Sequence, residues 1–289
     1  MSESLKRTFI ARDRRLELGE KTLIMGIINV TPDSFSDGGE VAQTEQAIAR
    51  GLEFDRLGVD IIDIGGESTR PFSEPIDVSE EKRRVVPVIE ALSGKVSSLI
   101  SVDTYKTEVA EKALQAGAHI VNDISAGNFD PDMSSVVKKH NAGVVLMHIK
   151  GTPKNMQVDP KYKDLFGEIR AYLKDAVNRF RECGVAEYSI LVDPGIGFGK
   201  NLQHNLELMR NLSILQGIGI GVLVGPSRKS FIGTITGKDV KDRLQGTVAS
   251  VCACAIYGAD VVRVHDVEDV KIALSVVDKI KTQKDINSL

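Results

Sequence analysis

Eight short apolar segments, each finished by polar or ionisable residues, constrain this 289-residue chain more than any other feature. They fall at residues 23–30, 61–66, 99–102, 120–121, 143–146, 189–192, 222–225 and 261–266. Short continuous apolar runs are what a parallel strand buried on both faces looks like. The polar endings are Asn29, Asp63, Asp103, Asn122-Asp123, Met147-His148, Asp193, Ser227-Arg228-Lys229-Ser230, and Arg263 with His265. Between the segments lie stretches of helical period at 44–57, 79–92, 107–116, 132–140, 161–183, 202–212, 244–257 and 267–280. Within 79–92 the run Glu80-Glu81-Lys82-Arg83-Arg84 reads as a solvated face opposite Val85, Val88, Ile89 and Leu92.

Strand then helix, repeated about eight times, calls for parallel strands joined by helical crossovers. A doubly wound open sheet would gather ligands at one switch point. Polar endings after nearly every strand suit a closed (β/α)8 TIM barrel better, because closure brings all of them to one rim. The chain is long enough for one such α/β domain. Residues 1–19 are read as an N-terminal extension and short hairpin closing the bottom of the barrel, 20–281 as the barrel, and 282–289 as a tail. A formal net charge of -3 gives no bias toward nucleic acid or an anionic membrane. No apolar stretch approaches the roughly 20 residues of a membrane span, and the first seven residues lack a signal-like apolar core. A soluble, cytoplasmic enzyme is expected. Cys183, Cys252 and Cys254 are odd in number and lack zinc spacing; the latter two read as small buried side chains. The helix from Leu244 to Tyr257 is apolar around most of its circumference, which marks it for a homodimer interface.

The rim chemistry points to a flat, anionic ligand. Asp103, Asn122 and Asp193 are acceptors suited to a heterocycle rich in N–H donors, such as the edge of a pterin or purine. Singly, each is an ordinary loop-capping residue; three on one rim are harder to explain that way. Two carboxylates also suit a glycosidase, but the chain has no Trp for a sugar platform. Lys229, Arg263 and His265 fall on the last two strands, where barrels frequently bind phosphate. Arg263 and His265, two apart, share one side of an extended strand. The 29–39 loop reads as a lid with Phe35 at its centre, and Gly65-Gly66-Glu67-Ser68-Thr69-Arg70-Pro71 as a tight turn with an anion-reaching arginine. The Gly195-Ile196-Gly197-Phe198-Gly199 spacing is not a Walker loop; its glycines are expected to let backbone approach a planar ligand beside Phe198. No His or Cys metal cage is evident, although Asn29 with phosphate oxygens suits Mg²⁺.

Taken in order, residues 29–39, 63–71, 101–104, 122–125, 146–148, 193–200, 225–230 and 263–267 resemble the motifs of the dihydropteroate synthase family. The resemblance spans roughly residues 20 to 270. It implies a folate-biosynthesis transferase that condenses 6-hydroxymethyl-7,8-dihydropterin diphosphate with 4-aminobenzoate, by diphosphate loss before amine attack. Carried over by position, Asp103, Asn122, Asp193 and Lys229 would hold the pterin between Ile124, Met147 and Phe198. Asn29, Arg263 and His265 would bind diphosphate, Asn29 through Mg²⁺. Phe35, Thr69, Arg70, Pro71, Ser227 and Ser230 would frame the aminobenzoate site, where sulfonamides would compete. Asp103, Asp193 and Lys229 would be catalytic, with Asp33 assisting from the first loop. Tyr105, Pro226 and the Ser125-Ala126-Gly127 turn are points at which family members vary. The rival readings are a methyltetrahydrofolate-dependent methyltransferase domain and a non-catalytic pterin-binding homologue.

Overall fold

The structure is a computed structural model that describes residues 7–31 and 39–282. Strands β1 (Arg7–Ala11) and β2 (Arg14–Leu18) form an antiparallel hairpin. Eight parallel strands follow: β3 (Leu23–Asn29), β4 (Ile61–Gly65), β5 (Leu99–Asp103), β6 (Ile120–Asp123), β7 (Gly143–Met147), β8 (Ile190–Asp193), β9 (Gly221–Val224) and β10 (Val261–Val264). They pair in sequence, and β10 returns to β3. The sheet is therefore a closed barrel, as the polar strand endings predict, and not an open one.

The crossovers carry α1 (Gly39–Leu57), α2 (Val78–Leu92), α3 (Thr107–Ala116), α4 (Met133–Lys139), α5 (Leu165–Glu182) and α6 (Leu202–Arg210). Two helices, α7 (Ser230–Thr236) and α8 (Leu244–Ile256), lie between β9 and β10, and α9 (Val267–Thr282) closes the chain. Local chemistry sets the ends. Asp77 caps α2 by accepting from the Glu80 amide, and Asn201 with His204 forms a reciprocal capping box on α6. Helix α3 stops at Gly117, whose φ of 116° is a conformation that favours glycine.

Because side chains alternate along a strand, the barrel interior is built in layers. The lowest layer is apolar: Met25, Ile61, Leu99, Ile120, Val145, Leu191, Leu223 and Val261 pack with Phe9, Ala11 and Leu18 of the hairpin. These are all essentially fully buried, and each side chain larger than Ala11 contributes about 1.5–3 kcal/mol of hydrophobic stabilisation. The hairpin plugs the bottom, so chemistry is confined to the other end. Two residues further along, five of the eight strands present polar groups, Asp63, Ser101, Asn122, Asp193 and Arg263, while the other three carry Ile27, Met147 and Gly225. Outside the barrel, Val85, Val88, Ile89 and Leu92 of α2 join the main core.

One expectation fails on α2. Glu81, read as part of a solvated face, is 1% exposed and pairs with Lys106 at 2.6 Å. The helix begins over the strand ends, so its first turn faces a loop and not water. Of the cysteines, Cys254 is buried while Cys183 and Cys252 are half-buried, and all three are free thiols.

Candidate active site

The polar layer at the mouth is held by one guanidinium. Arg263 Nε donates to Asp63 Oδ2 and Arg263 Nη2 to Asp103 Oδ2, each at 2.6 Å. Asn122 Nδ2 donates to the same Asp63 oxygen at 3.2 Å. Strand register explains the meeting: Gly65 lies beside Asp103, and Asp103 beside Asn122. The absence of a side chain at Gly65 leaves the space that Asp103 and Asn29 flank; a Cβ there would sit 3.5 Å from Asp103 Oδ2 and 3.8 Å from Asn29 Oδ1. Asp193, on the far side, accepts the Gly195 amide at 2.6 Å through Oδ1.

Above this layer Ile124, Met147, Ile149, Met156 and Phe198 form a small apolar cluster separate from the main core. Three of the five are the expected heterocycle walls. Lys229 Nζ lies 4.1 Å from the Phe198 ring centre, a cation–π contact that holds the ammonium at the edge of the slot.

Electrostatics distinguishes these groups from ordinary surface ion pairs. Burial pushes the Asp103 carboxyl up to about 7, opposed by Arg263 and reinforced by Asp63. Burial likewise raises Asp193 to about 6, against the Gly195 hydrogen bond and Lys229. Lys229 is pushed down to about 8 by burial and by Arg263. Both signs of charge are thus costly here without a ligand, the pattern expected of a functional site.

His265 is a hydrogen-bonding group and not a cation. Burial, with Arg263 and Arg228 nearby, lowers it to about 3. Its amide donates to Ser227 Oγ at 3.2 Å, and that oxygen lies 3.0 Å from its Nδ1. A hydroxyl oxygen has two acceptor sites, so Ser227 Oγ and Nδ1 share one proton whose side is set by the ring's tautomer. The Ser227–Ser230 turn itself is set by Arg228, at a left-handed φ of 56°, whose guanidinium pairs with Asp266 while its amide donates to Thr247.

Two of the glycines after Asp193 admit a close approach within the protein itself. A Cβ on Gly195 would lie 2.0 Å from the His148 carbonyl oxygen, and one on Gly199 2.5 Å from the Lys150 carbonyl oxygen. These two let the 193–200 loop press against the β7 loop, whereas a Cβ on Gly197 would lie 3.2 Å from Lys229 Cδ, on the side of the slot. Lys200 completes that junction: it is buried and lies 2.9 Å from both His148 Nδ1 and the Phe198 carbonyl.

The expected residues fall into three groups. Asp103, Asn122, Ile124, Met147, Asp193, Phe198, Lys229 and Arg263 converge on one slot, with Ser227 and His265 beside it. Asn29 ends β3 at the same mouth, half-buried. Thr69, Arg70, Pro71 and Ser230 lie on the rim, mostly exposed. Among the described residues no hydrogen bond joins the 67–77 loop to the 225–230 loop; Phe72 N donates to Pro153 O instead. Asp33 and Phe35 lie outside the described residues. Asp63 was visible as a strand ending but carries no expected role, because its partner Arg263 is 200 residues away.

A parallel barrel whose strand ends surround an apolar slot with acid, amide and ammonium groups defines an enzyme for a flat, hydrogen-bonding heterocycle. The family model for pterin binding enzymes matches residues 25–265, so it takes in every mouth residue from Asn29 to His265. The dihydropteroate synthase of Synechocystis sp. is 47% identical over 263 residues, 91% of this chain and 91% of the relative. The dihydropteroate synthase of Yersinia pestis, solved with a sulfonamide drug, superposes with a TM-score of 0.90 at 41% identity, covering 95% of this chain and 99% of that one. The enzyme of Xanthomonas albilineans, solved with 7,8-dihydropteroate, gives 0.86 at 38% identity, covering 95% and 99%. The chain belongs to the dihydropteroate synthase family.

Proposed function

We propose that this chain condenses 6-hydroxymethyl-7,8-dihydropterin diphosphate with 4-aminobenzoate to give 7,8-dihydropteroate and diphosphate. The observation that carries the reading is the barrel mouth, where buried Asp103, Asn122 and Asp193 and half-buried Lys229 accompany the apolar cluster of Ile124, Met147 and Phe198. Those acceptors match the ring and exocyclic N–H groups of a pterin, and the apolar walls match its faces.

In the reaction the bond between the pterin methylene carbon and the diphosphate oxygen breaks, and its electrons leave with diphosphate. Positive charge spreads from the methylene into the ring. Asp103 and Asp193 are fixed in place before that charge develops, so their stabilisation of it needs no reorganisation. The neutral arylamine then attacks the methylene, forms the carbon–nitrogen bond and releases a proton to solvent. No strong base is needed, because an arylamine is unprotonated near neutral pH. We assign His265 and Arg263 to the diphosphate oxygens, and Thr69, Arg70, Pro71, Ser227 and Ser230 to the rim for aminobenzoate. Phe35 is assigned to the aminobenzoate site and Asp33 to assisting stabilisation of the developing charge.

Mg²⁺ suits the donors present. Among the described residues no group of three or more His, Cys, Asp or Glu side chains could hold a metal. The nearby carboxylates Asp63 and Asp103 are engaged by Arg263. Asn29 therefore offers one neutral oxygen, fitting an ion that keeps several waters and binds through substrate phosphates. When bound, Mg²⁺ would neutralise the leaving diphosphate.

A homodimer is part of the same proposal. Ile272, Val276 and Ile280 form an exposed stripe at four-residue spacing on α9, with exposed Ile256 and Tyr257 at the end of the neighbouring α8. No helix among the described residues is long and apolar enough to cross a membrane. Three free thiols suit the reducing cytoplasm, where we place the enzyme.

The test is to incubate the chain with dihydropterin diphosphate, 4-aminobenzoate and Mg²⁺ and to quantify both products. Equal amounts of dihydropteroate and diphosphate, suppressed competitively by a sulfonamide, support the reading. Methyl transfer from methyltetrahydrofolate, or tight pterin binding with neither product, would replace it.

A further inference from the structure

Glu67, Tyr105 and Lys106 take no part in the chemistry above, yet they are tightly bound together beside it. Glu67 opens the loop after β4, and Ile76 lies near its end. Glu67 Oε2 accepts from the Ile76 amide at 2.9 Å and from Lys106 Nζ at 2.6 Å. Lys106 Nζ also donates to the Ile76 carbonyl at 2.7 Å and to Glu81 at 2.6 Å, so its three protons are all used. One ammonium thereby closes the base of a loop whose interior carries Thr69, Arg70 and Pro71. The second Glu67 oxygen accepts from the Tyr105 hydroxyl at 2.7 Å. The Tyr105 ring packs against the Ile124, Met147 and Phe198 cluster and stands edge-on to Phe129 at 5.3 Å. Tyr105 and Lys106 directly follow Asp103-Thr104 at the end of β5.

We propose that Tyr105 and Lys106 are positioning residues that couple the pterin slot to the aminobenzoate loop. The ring of Tyr105 senses the packing of the slot walls, and its hydroxyl with Lys106 holds the base of the 67–76 loop in register with them. Stability is a poor explanation for the cluster. Two buried carboxylates against one ammonium seldom stabilise a fold more than apolar residues of the same shape would. A defined geometry is what such a cluster provides. Burial alone would pull the Lys106 proton off more easily, but hydrogen bonds and charge from Glu67 and Glu81 outweigh it, so the ammonium is retained at neutral pH.

This inference rests on the reaction assigned above, and its test separates the two. Tyr105→Phe keeps the ring and removes one hydrogen bond. It should raise the KM for 4-aminobenzoate about tenfold, leave the Kd of dihydropterin diphosphate within twofold, and leave kcat at saturating aminobenzoate within threefold. Lys106→Met should raise that KM further, and Lys106→Arg, which keeps the charge, should recover part of the loss. In hydrogen exchange, amides of residues 67–77 should exchange faster in Tyr105→Phe while the barrel strands are unchanged. An unchanged aminobenzoate KM, or a pterin Kd that rises in step with it, overturns the coupling. If Lys106→Met does not fold, Tyr105→Phe decides alone. A wild-type chain making no dihydropteroate would sink the assigned reaction, whereas unchanged exchange at 67–77 would sink the clasp whatever the reaction is.

Discussion

Asp103→Asn separates the catalytic from the structural role of the mouth. The carboxylate is buried and lies 2.6 Å from Arg263 Nη2, and burial already holds it near 7. Removing its charge gives up a charge-assisted hydrogen bond but also removes the cost of a buried anion, and Asp63 still compensates Arg263, so the net change in fold stability should be within about 1 kcal/mol. The transition state has no such compensation. Taken at about 6 Å from the pterin methylene and at an effective dielectric near 20, the carboxylate contributes about 2–3 kcal/mol when assayed above pH 7, where it is ionised. That is roughly a hundredfold in rate. Thermal unfolding should therefore show a Tm within about 3 °C of the parent chain, while single-turnover formation of dihydropteroate slows about a hundredfold. A rate within threefold of the parent would refute the electrostatic role. A Tm drop above about 10 °C would show that Asp103 is needed chiefly to hold Arg263.

Asp193 offers a pH test. Its folded value, about 6, lies above the 3.8 of an exposed aspartate, so its stabilising contribution is complete below about pH 4 and is lost as pH rises through 6. Asp193→Asn should then raise Tm by a few degrees at pH 7.5, change it little at pH 4, and abolish most turnover; equal effects on Tm at both pH values would contradict this. Pterin affinity, measured by titration calorimetry, should fall above about pH 8 as Lys229 loses its proton. Gly195→Ala places a methyl group 2.0 Å from the His148 carbonyl at a φ of 70°, and should cost about 3 kcal/mol or more, read as a lower Tm with the β7 and β8 loops separated. Val276→Glu should convert a dimer to monomers in sedimentation velocity, and a dimer of unchanged mass would remove the α9 stripe from the interface.

The barrel was legible because parallel strands buried on both faces have a simple signature, and because closure is the arrangement that gives eight polar endings one common place. Helix α7 was not. Its sequence, Ser-Phe-Ile-Gly-Thr-Ile-Thr, has β-branched residues and a central glycine, which local propensity assigns to strand or loop. The slot walls Ile124, Met147 and Phe198 came from family resemblance, and Ile149 and Met156, which extend the same cluster, carried no motif to mark them. What sequence hid most fully was pairing at long range. Asp63 with Arg263, Lys200 with His148, and Glu81 with Lys106 each join residues that no local pattern relates. Glu81 shows the cost: a charge run on a helix predicts solvent only when nothing lies above that turn. Gly195 and Gly199 make a related point, since a need for close approach does not reveal what approaches, which here is the backbone of the β7 loop.

The most direct test of the whole account is a crystal structure of the chain with dihydropterin diphosphate bound. The pterin ring should lie between Met147 and Phe198, hydrogen-bonded to Asn122, Asp193 and Asp103, with Lys229 at its edge and the diphosphate beside His265 and Asn29. A pterin seated anywhere else, such as the cavity of about 370 Å³ at the barrel bottom between Lys21, Asp60 and Lys271, would contradict it.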